Sequence, residues 1–352
     1  MVVTDTVQAI LLIVAGTVIF FLGLDAVGGW GELMAKTEEA KKHLILPADD
    51  DFLPWTGLWG VILLGFYYFG INQFVVQRAL GAKDLNEGRR GAIFAGFLKM
   101  PNLFILIAPG LMALILYPDL STPDLAFPTL AFDMLPIGLR GLVAAALIAA
   151  IMSSLDSALN AAGTLVVKDF LVPWKPNLSE KKQVKLGRIM LGIAMVVGAV
   201  YAPMIASFES LFQYFQSSLS YVVPPIVVVF VLGLFMPRVN GHGAFWTIVL
   251  GLAVGVPLFI AKEITDVWAN LGLPDIHFTI MSTIMMFIGA FLLIGISLIG
   301  RAPDREEIAE IKWDRNGLRK DFSAIESPWF IDYKLQSLAL ALVIVGVLAV
   351  FW

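Results

Sequence analysis

The sequence contains no cysteine and only three histidines, which lie far apart at His43, His242 and His277. The lack of cysteine excludes disulfides, thiol catalysis and thiolate metal sites. Because no Ser/His pair and no cluster of metal ligands is visible, we expect neither an enzyme nor an organic cofactor. Charge is also scarce, since 15% of residues are charged against about 25% in soluble domains. The net charge of -4 provides no basic surface for nucleic acid.

Hydrophobic residues make up most of the sequence: they are 59% of the chain, and the mean hydropathy is +0.84. Eight uncharged runs of 18 to 28 residues follow one another, and a ninth is divided by Asp156 into 15 and 11 residues. A membrane-spanning helix needs about 20 such residues. The sequence therefore predicts an all-α, polytopic membrane protein with nine transmembrane helices in a lipid bilayer.

Lysine and arginine are distributed unevenly between the two sides that nine alternating crossings would create. One side holds 18 of them and the other holds five. The positive-inside rule assigns the richer side to the cytoplasm. We therefore expect a plasma (inner) membrane protein with a cytoplasmic N-terminus, an external C-terminus and a charged cytoplasmic loop over 301–334.

Polar side chains inside spans are the best indicators of function, because each of them needs a partner or a cavity. The fourth span has four at helical spacing: Ser153, Ser157, Asn160 and Thr164. Helix packing explains such a stripe, and so does a site for a desolvated cation, which prefers hard oxygen ligands. Asp156 favours the second explanation, because a carboxylate within a span predicts an ion path or a charge partner.

Two other spans have polar groups of the kind that bind a solute. The second span carries Tyr67, Tyr68, Asn72 and Gln73, and aromatic faces beside amides suit a sugar, although tyrosines also bury well in any helix bundle. The sixth span has amides and hydroxyls before Pro224 and Pro225. We expect these prolines to break the helix, because proline cannot donate to the helical hydrogen-bond ladder.

Four segments together resemble the sodium/solute symporter family, and within it the sodium/glucose cotransporter branch. In order they are GFYYFGINQFVVQRALGAK from Gly65, AGFLKMPNLFILIAPG around Lys99, AAALIAAIMSSLDSALNAAGTLVVKDF around Ser153, and LFQYFQSSLSYVVPPIVVVF from Leu211. The resemblance implies an inverted five-plus-five helix repeat within one membrane domain, 1–352. Residues 6–28 would be the fifth core helix, 56–235 the second repeat and 240–352 additional helices.

The resemblance also implies functional residues. Sodium, the coupling ion, would bind the carbonyl of Ala150 and the hydroxyls of Ser153 and Ser154. The solute would contact Lys99, Gln216 and Tyr68, with Asn72 nearby, although Lys99 at a span end could equally extend to the cytoplasmic surface. Asp5 resembles a family acid linked to ion passage, and Asp156 is a second candidate for the ion path.

The expected function is sodium-coupled import of a small polar solute by alternating access, with a sugar as the first choice. Gly65 and Phe69 stand where the sugar branch has an amide and an indole, so an amino acid or a carboxylate is an alternative solute. Family members begin with further helices, one of which completes the sodium site, and we therefore expect a segment before Met1. A non-transporting receptor or partial subunit on the same scaffold is the other alternative.

Overall fold

The computed structural model describes residues 2–50, 53–205, 210–303 and 332–351. Regular structure within these ranges is helical, and the only strand-like pairing there is an isolated bridge between Leu46 and Pro54. Most of the predicted loop 301–334 lies outside the described residues. The helices are α1 Val2–Val27, α2 Trp30–Lys36, α3 Leu58–Phe66, α4 Gln73–Leu80, α5 Leu85–Lys99, α6 Ala108–Leu116, α7 Ala126–Met134, α8 Ile137–Leu165, α9 Val172–Trp174, α10 Glu180–Ile205, α11 Leu211–Phe235, α12 Gly241–Phe259, α13 Val267–Asn270, α14 Phe278–Ile299 and α15 Tyr333–Val350.

Eight helical stretches in the described residues are long and apolar enough to cross a membrane, and a bent pair makes up to nine. Several stretches contain a π-helical turn, in which each backbone hydrogen bond spans five residues instead of the four of an α-helix. These turns are Tyr67–Ile71, Leu103–Ile107, Val166–Leu171 and Ile260–Ile264. The predicted count of nine therefore holds when the bent pair is one span.

The break in a membrane-spanning helix lies at a different place from the one that the prolines predicted. The bent pair is Trp55–Ile71 and Gln73–Leu80, which meet at 45° because Asn72 has extended backbone angles (φ -62°, ψ 116°). In contrast, α11 continues through Pro224 and Pro225. The expected break at this proline pair is wrong, and packing gives the reason: a Cβ on Gly251 would lie 2.6 Å from Pro225 Cγ, so the helix fits closely against α12 there.

The third span also begins earlier than the charge pattern indicated. The helical stretch that contains this span runs over Leu85–Leu116, 32 residues, and Lys99 lies within it instead of at its start. Asp84 sets the beginning, since its side chain accepts a hydrogen bond from the Glu87 backbone N–H at 2.9 Å. Such an N-cap typically stabilises a helix by about 1 kcal/mol. Lys99 is exposed at the end of α5.

The chain forms two compact units, and the first comprises Met1–Lys42 and Gln77–Leu211. In this unit α1 packs against α6, α7 and α8. Its core includes the fully buried Ile19 and Leu130. Gly16 permits a very close approach, because a Cβ there would lie 2.1 Å from Ile105 Cγ2. This packing fixes α1 alongside α8, which positions the polar residues of both helices.

The second unit comprises His43–Val76 and Phe212–Trp352. Its principal contacts are between α12 and α14 and between α14 and α3. A buried cluster of Leu64, Val223 and Val227 joins α3 to α11. Glycine allows the helices to approach closely here as well, since a Cβ on Gly255 would lie 2.1 Å from the Tyr221 carbonyl oxygen.

Candidate functional site

A closed polar network in the first unit joins α1, α4 and α8. The Ser153 hydroxyl donates to Asp5 Oδ1, while Arg78 Nη2 donates to Asp5 Oδ2 at 3.1 Å and to Ser157 Oγ at 2.7 Å. The Ser157 hydroxyl in turn donates to the Ser153 carbonyl at 2.8 Å. The structure thus brings Asp5 and Ser153 together, although 148 residues separate them in sequence.

The network extends from a buried residue, Ser157, to an exposed one, Arg78. Ser157 is fully buried, with 0% exposure, and the side chains of Asp5 and Arg78 are 20% and 37% exposed. A carboxylate in such a place needs compensation, which one ion pair and one hydroxyl provide. Because both Asp5 oxygens are engaged, a cation that binds Asp5 has to compete with the Arg78 guanidinium.

The proposed sodium ligands occupy about one turn of α8. Ala150 and Ser153 are half-buried and Ser154 is exposed. The Ser153 hydroxyl donates to Asp5, and its lone pairs still accept, so it can also face a cation. Asp5 and Ser153 therefore bring together oxygen atoms of the kind that hard cations prefer. Within the described residues, no group of three or more His, Cys, Asp or Glu side chains is placed to hold a metal ion.

Asp156, the second candidate for the ion path, is placed differently. It is exposed on α8 and has no ion pair within the described part of the chain. The polar stripe of α8 also divides into two parts. Ser153 and Ser157 belong to the network around Asp5, whereas Asn160 and Thr164 line a separate cavity against α10.

The proposed solute contacts are distributed over both units. Lys99 belongs to the first unit, while Tyr68, Asn72 and Gln216 belong to the second. Tyr68 is half-buried within the π-helical turn, and its ring lies 4.9 Å from that of Phe69. Asn72 ends this turn, and its side chain accepts from the Phe74 backbone N–H at 3.3 Å. Gln216 is half-buried on α11, against which α3 packs.

Two charged groups have roles that the sequence alone did not indicate. In the sequence, Arg78 ends the second uncharged run and is used only in the count of basic residues that orients the chain in the membrane. In the structure it is the ion-pair partner of Asp5. Glu263 accepts hydrogen bonds from the Tyr221 hydroxyl at 2.7 Å and the Ser217 hydroxyl at 3.3 Å, and it pairs with Lys262 at 3.3 Å. The sequence signal for this polar cluster is the pair of opposite charges, Lys262 and Glu263, at the end of a span.

Comparison with known proteins identifies the family of the chain. Residues 1–251 match the sodium:solute symporter family. The chain belongs to this family. Sodium:solute symporters are transporters and not enzymes, and the eight to nine candidate spans of the described residues are those of a multi-pass membrane protein, as expected from the sequence.

Relatives of this symporter-family chain include two sodium-coupled cotransporters. It is 29% identical over 371 residues to sodium/glucose cotransporter 4 of Danio rerio, covering 93% of this chain and 56% of the relative. It is 31% identical over 357 residues to sodium/myo-inositol cotransporter 2 of Oryctolagus cuniculus, covering 88% and 52%. The chain thus spans about half the length of the curated relatives it matches.

The fold is that of a solved Na+-coupled sialic acid symporter, described in a substrate-bound, outward-open state with a novel Na+ site. The two superpose with a TM-score of 0.67 over 86% of this chain and 62% of that one, at 22% sequence identity. The predicted fold class, an all-helical part of the inverted five-plus-five repeat, is confirmed. At this identity the likeness supports the fold alone.

Proposed function

We propose that this chain takes part in sodium-coupled import of a small polyhydroxylated solute, with sodium binding on α8 beside Asp5. The network of Asp5, Ser153, Ser157 and Arg78 carries the proposal. It supplies oxygen ligands for a cation and a cationic side chain that competes for the same carboxylate. Ala150 and Ser154 would complete the ligands on α8, and Asp156 would lie along the ion path.

The solute class is supported by the relatives. Their names specify glucose and myo-inositol. Both solutes carry several hydroxyl groups. Tyr68 would stack on the C–H face of such a solute, while the amides of Asn72 and Gln216 would hydrogen-bond its hydroxyls. The Lys99 ammonium is a separate candidate donor to a solute hydroxyl.

The second repeat, 56–235, would provide these groups, preceded by the fifth core helix, 6–28, and followed by additional helices over 240–352. The asymmetry of 18 basic residues against five supports a plasma membrane orientation with the N-terminus of this chain in the cytoplasm.

Coupling requires only that sodium and solute prefer the same conformational state. One charge that crosses 100 mV releases about 2.3 kcal/mol. A tenfold sodium ratio adds about 1.4 kcal/mol. Together these would sustain a solute gradient of roughly several hundredfold per sodium ion. The energy available therefore suffices for concentrative uptake.

Uptake into proteoliposomes that contain the full chain tests the proposal. Labelled glucose, myo-inositol, proline and acetate are supplied in sodium chloride or choline chloride under an inside-negative potential. We expect uptake of a polyhydroxylated solute in sodium only. Ser153→Ala should raise the half-saturating sodium concentration, whereas Thr17→Val, which removes a hydroxyl bonded to its own helix at Ile13, should not.

Each other outcome would count against a specific part of the proposal. Sodium-dependent uptake of proline or acetate alone would contradict the solute class and favour the amino acid or carboxylate alternative. Solute binding that is equal in sodium and choline, without uptake, would contradict the coupling and favour a non-transporting receptor.

A further inference from the structure

A cavity of about 550 Å³ lies in the first unit between the end of α8 and the beginning of α10. It is distinct from the network around Asp5. Its polar lining consists of Asn160, Thr164, Lys168, Glu180, Gln183 and Arg188. Its volume is within the range of small-molecule sites, about 300–1,000 Å³.

The cavity presents two cations. The Lys168 ammonium is oriented by Gln183, whose Oε1 accepts its hydrogen bond at 2.9 Å. Gln183 is fixed in turn, since its Nε2 donates to the Leu178 carbonyl at 2.9 Å. Lys168 keeps two further N–H donors, and Arg188 has no partner within the described part of the chain. One carboxylate, Glu180, opposes them, so the lining is cationic.

The lining residues lie at the level where the spans meet the membrane surface. Asn160 is 23 residues beyond Ile137, the first residue of α8, which corresponds to about 35 Å of helix against a hydrocarbon core of about 30 Å. Arg188 directly precedes the 20-residue uncharged run of α10. Trp174, which is exposed, provides the interfacial indole that is common at this depth.

The chain around the cavity is positively charged, like the cavity lining. Between residues 168 and 188 there are six basic residues and two acidic ones. The positive-inside rule assigns this side to the cytoplasm, where the leaflet is rich in anionic lipid. Basic cavities between transmembrane helices at this level suit lipid headgroup phosphates.

We propose that this cavity binds the headgroup phosphate of one anionic phospholipid, held by Lys168 and Arg188. Asn160 and Thr164 would donate hydrogen bonds to the phosphate or to the headgroup hydroxyls. Both cations are exposed, as a site that fills from the bilayer requires. This site is independent of the proposed transport activity.

Native mass spectrometry of the full chain in non-ionic detergent tests the assignment. Phosphatidylglycerol and phosphatidylcholine with the same acyl chains are titrated at fixed ionic strength, and the affinity of the first bound lipid is measured. We expect phosphatidylglycerol to bind at least about tenfold more tightly, and Lys168→Gln with Arg188→Gln to weaken it about thirtyfold. The matched control removes two charges from α10 whose side chains do not line the cavity, Lys181→Gln with Lys185→Gln. It should change the affinity by less than about threefold, because exposed charges without direct contact to the phosphate are screened by salt.

A second variant tests the volume of the cavity without changing its charge. Thr164→Phe adds volume inside the cavity and keeps both cations, so it should also weaken phosphatidylglycerol binding about tenfold. Equal losses in the cavity pair and the control pair, no preference over phosphatidylcholine, or full binding by Thr164→Phe would each overturn the proposal. Millimolar inorganic phosphate should not compete with the lipid. Displacement by phosphate alone would identify a free-anion site and overturn the lipid assignment.

Discussion

Replacing Arg78 by glutamine should strengthen sodium binding, because the guanidinium competes with a cation for Asp5. Arg78 donates to Asp5 Oδ2 at 3.1 Å. A hydrogen bond between charged groups contributes about 1.5–3 kcal/mol net, and exposed ion pairs contribute about 0–1 kcal/mol. With side-chain exposures of 37% and 20%, the pair lies between these cases. We therefore expect about 1.4 kcal/mol, or a roughly tenfold lower half-saturating sodium concentration.

Thermal melting of the detergent-solubilised chain provides the assay, since a ligand that binds the folded state raises the melting temperature. Sodium chloride is titrated against choline chloride at constant ionic strength. Arg90→Gln is the matched control, because it removes an arginine from an exposed i,i+3 pair with Glu87 and should leave the sodium response unchanged. Asp5→Asn should abolish most of the response. Unchanged or weaker sodium binding in Arg78→Gln would refute the competition between Arg78 and the cation.

Three further changes test other parts of the structure. Ser153→Ala should raise the half-saturating sodium concentration for uptake more than it lowers the maximal rate, because it removes a proposed ligand. Gly255→Ala should destabilise the protein by about 1–3 kcal/mol in thermal melting, since its Cβ would lie 2.1 Å from the Tyr221 carbonyl oxygen, whereas Gly346→Ala has open space and serves as control. Glu263→Gln should lower the melting temperature by weakening charge-assisted bonds, one of them from Tyr221 at 2.7 Å, each contributing about 1.5–3 kcal/mol.

Specific results would contradict each of these expectations. Equal melting temperatures for the two alanine variants would show that α11 and α12 are not as closely packed as described. A purely lower maximal rate in Ser153→Ala, with unchanged sodium dependence, would exclude its hydroxyl as a ligand. A Glu263→Gln protein as stable as the wild type would mean that the carboxylate contributes no net stability.

The spans could be predicted because a membrane imposes a simple requirement, about 20 uncharged residues in sequence. Details that depend on packing could not. The proline pair of α11 predicted a break, yet the helix continues where Gly251 makes room for Pro225. The actual break is at Asn72, in a segment whose composition does not distinguish a π-helical turn from an α-helix.

In the candidate site, too, some residues could be predicted from the sequence and others depend on tertiary packing. Hydroxyls at helical spacing on α8 indicated an ion-binding face, and a family resemblance indicated Asp5. Arg78 was missed because its partner is 73 residues away, and its position at the end of an apolar run is equally typical of an ordinary membrane boundary. Pairings between distant segments depend on tertiary structure, which a single sequence does not specify.

The coupling of sodium to solute is best tested by measuring how each of the two ligands changes the binding of the other. The solute identified by uptake is titrated into the full chain by calorimetry in sodium chloride and in choline chloride, and sodium is titrated with and without the solute. We expect each ligand to tighten the binding of the other by the same factor, as linkage requires, and Asp5→Asn to remove this coupling. A solute affinity that is the same in both salts would contradict sodium coupling at this site.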